Sequence, residues 1–89
     1  MNIEFLKHFD KDIDDIKLEN IKKDIISTIE NVENAKNIKE IKNLKKLVGY
    51  KFAYRIKINA YYRIGIFIEN NTVQFARIVH RKDIYKVFP

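Results

Sequence analysis

Tyr50-Lys51-Phe52-Ala53-Tyr54-Arg55-Ile56-Lys57-Ile58 decides the fold, because apolar and polar side chains alternate along it with a period of two. That period belongs to a strand with one buried face. Tyr50, Phe52, Tyr54, Ile56 and Ile58 point one way, while Lys51, Ala53, Arg55, Lys57 and Asn59 point the other, so the polar face is cationic. Past a tight connection at Asn59-Ala60, a second strand sets Tyr62, Ile64, Ile66 and Ile68 against Tyr61, Arg63, Gly65 and Phe67. Asn70-Asn71 reads as a two-residue hairpin turn, since asparagine takes up positive φ at low cost. A third strand follows over about residues 72–79, with Val73, Phe75 and Val79 on one face and Ala76 and Ile78 on the other, as in a more central strand.

Upstream of this block the period changes. A short strand over 2–5 leads into a helix on which Leu6, Phe9, Ile13 and Ile16 share one face. A second helix, from about Glu19 to Glu33, carries the stripe Ile21, Ile25, Ile29 and Val32, with charged residues around the rest of its circumference. The two form an antiparallel hairpin. In 34–49, Ile38, Ile41, Leu44 and Leu47 recur at every third residue, which suits a short helical turn or an irregular segment pressed on the core. Gly49 breaks the chain before the sheet, and Lys82 to Phe88 forms a short tail whose Ile84 and Phe88 return to the core. The expected architecture is α+β, ordered β-α-α-β-β-β, with the helical hairpin on one face of a small, mostly antiparallel sheet and the other face partly open and basic.

The 89 residues suit a single domain spanning 1–89, close to the size at which one hydrophobic core just suffices. Without cysteine there is no disulfide or thiolate site, and His8 and His80 lie too far apart to suggest a ligand pair, so no metal or cofactor is expected. The amino terminus has no apolar signal core and no run is long enough to span a bilayer, which points to a cytoplasmic protein without a membrane partner. Charge is segregated. Residues 1–35 hold five Lys against nine Asp and Glu, and residues 36–89 hold thirteen Lys and Arg against three acids, so halves of −4 and +10 make the net +6. A basic half of that kind suits an anionic partner, nucleic acid first and an acidic protein segment second.

Most enzyme classes drop out. There is no Gly-rich phosphate loop, nucleophile elbow or His-Glu metal motif, and Ser27, the one serine, lies within a helical segment. Cleavage of RNA by its own 2′-hydroxyl survives this filter, because the protein then has only to position the nucleophile, move two protons and neutralise phosphoryl charge. Arg55 and Lys57 sit roughly 7 Å apart along one strand face, a spacing comparable to successive phosphates; they would otherwise serve as exposed cations that limit edge pairing. Arg63 offers a planar fork to a phosphate, or stacks on a tyrosine, or pairs with Glu69. Arg77, amid an apolar strand, reads as a structural partner of the acidic helices. His80 and Arg81, with Tyr85 four residues on, supply an imidazole, a cation and a phenol; Tyr85 either stacks on a base or packs beneath Ile84 and Phe88. Lys45, Lys46, Lys51 and Lys82 are placed as electrostatic contacts to RNA.

These strings resemble the RelE/ParE superfamily of small toxins from type II toxin–antitoxin systems. The resemblance rests on Ile3-Glu4-Phe5 with Phe9 and Lys11, on Leu47-x-Gly49 before Tyr54-Arg55-Ile56-Lys57, on Tyr62-Arg63-Ile64, and on His80-Arg81-x-x-x-Tyr85. It implies a helical hairpin packed on a small antiparallel sheet, with metal-independent cleavage of mRNA in the A site of the 30S ribosomal subunit and inhibition of translation. It also implies silencing by a cognate antitoxin. Under the resemblance Arg55 and Lys57 hold the RNA and help activate the nucleophile, and Arg63 stabilises the transition state. Arg81 then lies near the leaving group and Tyr85 orients a base, while His80 matches a histidine used by some relatives. Other members of the superfamily poison DNA gyrase instead, and an inert member would bind only its antitoxin; the shared fold does not separate these activities.

Overall fold

The computed structural model describes residues 1–89 and shows five strands where the pattern of apolar residues indicates four. Strand β1 (Asn2–Phe5) is followed by helices α1 (Lys7–Asp15) and α2 (Glu19–Asn34), a 3-10 turn (Ile38–Glu40), and strands β2 (Leu44–Lys46), β3 (Ala53–Lys57), β4 (Tyr62–Glu69) and β5 (Thr72–His80). A four-residue helix, α3 (Ile84–Val87), closes the chain. The sheet order is β1-β5-β4-β3-β2; only β1 and β5 run parallel, and the other neighbours are antiparallel. The expected α+β hairpin-on-sheet architecture is what forms. No helix is long and apolar enough to cross a membrane.

The helical hairpin covers one sheet face through Phe9, Ile16, Ile21, Ile25 and Val32, which meet Ile56, Ile64, Ile66, Val73, Phe75 and Ile78 in the main core. Phe9, Phe75 and Ile64 are fully buried, each contributing about 2 kcal/mol of transfer free energy. A second, smaller core lies on the opposite face, where Ile84 and Phe88 of the tail cover Leu47, Ala53 and Ala76. The tail therefore returns to the far side of the sheet, and that side is only partly open.

Residues 34–49 combine two conformations. Asn37 caps the 3-10 turn by accepting from the Lys39 amide, and Asn43 then takes up φ 62° and turns the chain into β2. A spacing of three cannot announce such a switch. Leu44 faces the main core and Leu47 the second one.

The strand beginning at Tyr50 is shorter than its alternation suggests. Leu47 donates its amide to Ala53 and Gly49 adopts φ +86°, so residues 48–52 form the β2–β3 connection, with Tyr50 and Phe52 exposed. Asn70 and Asn71 do form the tight hairpin, with φ values of 52° and 61°.

Strand β5 departs in another way. Gly65 pairs with Arg77 but Ile66 pairs with Phe75, which leaves Ala76 as an extra residue in a β-bulge. Beyond it every side chain changes face: Ile78 joins Val73 and Phe75 in the main core, while Val79 packs with Ala76 in the second. This reverses the faces expected for Ile78 and Val79. Asp12 of α1 secures the bulge by accepting from the Ile78 amide (3.0 Å) and from Arg77 Nε (2.8 Å) and Nη2 (3.1 Å).

Candidate functional site: a cation cluster on the open sheet face

Cross-strand register assembles the cations. Lys45 of β2 lies opposite Arg55 of β3, which lies opposite Gly65 of β4; one step along, Lys57 lies opposite Arg63. Directly paired residues share a face, as do residues two apart on a strand. Lys45, Arg55, Lys57 and Arg63 therefore project from the face opposite the helical hairpin, beside the second core.

Arg63 is held by the backbone. Its Nη1 donates to the carbonyls of Asn59 (2.9 Å) and Tyr62 (3.0 Å), which leaves Nε and Nη2 of the fork without a protein partner. Burial lowers its pKa, repulsion from Arg55 and Arg81 lowers it further, and Tyr85 opposes the shift. An arginine stays protonated regardless, so the shift reports a partly desolvated guanidinium with two further positive charges close by. The alternative pairing with Glu69 does not form; the salt bridges of the molecule are Arg77–Asp12 and Lys86–Asp83. Crowded cations without a carboxylate form a ready anion site.

Arg55 donates from Nε to the Tyr85 hydroxyl at 3.0 Å, linking β3 to α3. The Arg81 guanidinium lies 5.8 Å from the centroid of the Tyr61 ring, and its amide donates to the Tyr61 carbonyl. Tyr85 is 63% exposed, so its ring does not pack beneath Ile84 and Phe88, which are buried. At the margin of the cluster a cleft of about 360 Å³ is lined by Lys45, Lys46, Tyr50 and Tyr85 with Val48 and Phe88. Lys51 lies instead over the Phe52 ring at 5.3 Å, and Lys82 is exposed in the turn before α3.

His80 does not join the cluster. It pairs with Tyr62, whose ring packs on the main core, and so lies on the helix side of the sheet. There its ring stacks with Tyr61 (centroids 6.0 Å) and meets Tyr62 edge-on (5.8 Å), while Nδ1 accepts from the Lys82 amide. Two residues that position the site carry little signal in the sequence. Asn59 holds Arg63 through its carbonyl and accepts the Tyr61 and Tyr62 amides on Oδ1, a role legible only as a turn-forming Asn between strands. Gly65 leaves room for the tail.

Fold and site together define a small α+β protein that presents a concentrated, unpaired positive charge on one sheet face. Toxin RelE3 of Methanocaldococcus jannaschii is 39% identical over 90 residues, with 100% of each chain covered, and the chain belongs to the RelE family of toxins of type II toxin–antitoxin systems. Among solved structures, the RelB-RelE antitoxin-toxin complex from Methanococcus jannaschii matches with a TM-score of 0.78 and 38% identity, over 96% of this chain and 98% of that one. The E. coli DinJ-YafQ complex shares the fold at 15% identity and TM-score 0.64, covering 94% of this chain and 97% of that one. The RelBE2 complex of Mycobacterium tuberculosis does so at 17% identity and TM-score 0.63, covering 90% and 96%. No family model matches the chain.

Proposed function

We propose that this protein is a metal-independent endoribonuclease toxin that cuts mRNA in the ribosomal A site. The observation that carries the reading is the grouping of Arg55, Lys57 and Arg63 on one sheet face, with Tyr85 bonded to Arg55 and Arg81 close enough to act on Arg63, and with no carboxylate bridged to any of these cations. In the reaction the substrate 2′-oxygen forms a bond to phosphorus as the bond from phosphorus to the 5′-oxygen breaks. The products are a 2′,3′-cyclic phosphate and a 5′-hydroxyl, and one proton leaves the 2′-hydroxyl while another reaches the departing oxygen. The free Nε and Nη2 of Arg63 meet the charge that grows on the phosphoryl oxygens. Arg55 and Lys57 hold adjoining phosphates, and Arg81 faces the leaving-group side. With His80 on the other face, Lys57 and the Tyr85 hydroxyl are the proton-exchanging groups placed with the cluster.

A partner follows from the same charge. An antitoxin segment with acidic and apolar residues would fold across this face and cover the cations. The RelB-RelE structure, an antitoxin-toxin complex of a protein 38% identical to this chain, supports that reading.

Toeprinting on translating ribosomes with wild type and Arg63→Ala tests the activity. Cleavage by wild type that is lost in Arg63→Ala is the expected result. Intact mRNA with wild type, or equal cutting by the variant, sinks the reading; inhibition of DNA gyrase supercoiling without RNA cleavage would replace it.

A further inference from the structure

Helix α3 is too short to hold itself and depends on what its ends touch. Ile84, 1% exposed, and Phe88, 4% exposed, are its two anchors in the second core. The Phe88 ring packs against Phe67 with centroids 5.0 Å apart and lies directly over Gly65. A Cβ on residue 65 would meet Cγ of that ring at 2.5 Å and Cδ2 at 2.6 Å, closer than carbon atoms approach without displacement. Gly65 has no positive φ to require glycine, so the space its missing side chain leaves for Phe88 accounts for it. Gly65 is also the cross-strand partner of Arg55, so the seat of the tail and the root of that arginine are neighbours. Tyr85 projects away from the two anchors and accepts from Arg55 Nε, the one side-chain bond that Arg55 makes.

We propose that Phe88, seated over Gly65, is a positioning residue for the cation cluster: it docks α3 so that the Tyr85 hydroxyl fixes the guanidinium of Arg55. The proposal rests on the RNA-cleavage reading for its consequence but not for its geometry. With the tail docked, the Arg55 fork is aimed before substrate arrives, and less ordering is left to the moment of binding. With the ring displaced, Tyr85 moves away and Arg55 swings freely while the main core, on the other face, stays packed.

The test is nitrogen-15 NMR of the Arg55 Nε–H group, with Tyr85→Phe giving its position when released. Gly65→Ala and Phe88→Ala are each expected to shift the signal to the Tyr85→Phe position, with the methyl signals of Ile66 and Val73 unchanged. On translating ribosomes Gly65→Ala and Phe88→Ala should each cleave at least about tenfold more slowly, since losing one hydrogen bond to a charged group already costs that much. Gly65→Ala should then cost nothing further in a Tyr85→Phe background. An Arg55 signal unmoved by Phe88→Ala overturns the proposal, as does a multiplicative loss in the double variant. Should Gly65→Ala lose its main-core methyl dispersion, Phe88→Ala, which removes atoms and adds none, decides alone. A wild type that leaves mRNA intact would overturn the RNA reading, and the NMR comparison would still decide the docking.

Discussion

Arg77 and Arg63 lie on neighbouring strands and their surroundings treat the same charge in opposite ways. Arg77, at the β-bulge, meets Asp12 of α1 through two nitrogens, and that hydrogen bonding raises its pKa against the cost of burial. Arg63, on the open side, has backbone carbonyls for company and no carboxylate, and burial followed by repulsion from Arg55 and Arg81 lowers its pKa. The first charge is spent on architecture, because the Asp12 carboxylate also takes the Ile78 amide at the bulge. The second remains available to a ligand. A cation whose fold does not satisfy it marks function more sharply than a cation count does.

The widest separation between the two should come from Arg63→Ala, which is expected to slow mRNA cleavage by about 100-fold or more while leaving the fold intact. Single-turnover cleavage and circular dichroism on one preparation would check both halves. A matching loss from Arg77→Lys without loss of stability would erase the distinction. Asp12→Ala should act in the opposite sense, destabilising by about 2 kcal/mol because a half-buried guanidinium and a backbone amide lose their acceptor, as urea unfolding would report. Binding of a non-cleavable RNA to four unpaired cations should weaken with salt at a log–log slope of about −3, and removing Arg63 should make that slope shallower by about 0.7. A slope that does not change would mean that Arg63 does not touch phosphate.

The smallest effect is on stability itself. A lowered pKa means that the fold disfavours the charged form of Arg63, so Arg63→Gln should melt at or slightly above the wild-type temperature, with the gain shrinking as salt screens Arg55 and Arg81. For Arg77 the sign is opposite. Its raised pKa supplies stability that is fully present below the unfolded value and is lost only as pH rises through the folded one. Both values lie far above neutrality, so neither arginine should give stability a slope between about pH 6 and 8. Thermal melts across that range, comparing wild type with Arg63→Gln, would expose any exception.

Much of this was legible along the chain. Periods of 3.6 and 2 gave the helical hairpin and the β3–β5 block, and Asn70-Asn71 gave the turn. The role of Arg77 also followed, from an arginine in an apolar strand beside acidic helices. Strand β2 was hidden because a spacing of three is shared by a 3-10 turn running into an extended segment. The reach of β3 back to Tyr50 failed because hydrogen bonding between Leu47 and Ala53, not hydropathy, sets where pairing begins. Strict alternation along β5 would have put His80 on the open face with Arg63. One extra residue at Ala76 moved it to the other face.

Composition and period settle what the protein is made to carry: a basic C-terminal half, alternating strands, two amphipathic helices and the strings that mark its family. These are local or additive properties, readable from composition and period. Tertiary structure alone decided which charges remain free. That outcome depends on register, on a bulge that inverts one strand's faces, and on a tail that folds back over Gly65, and each of these is set by contacts between residues far apart in the chain.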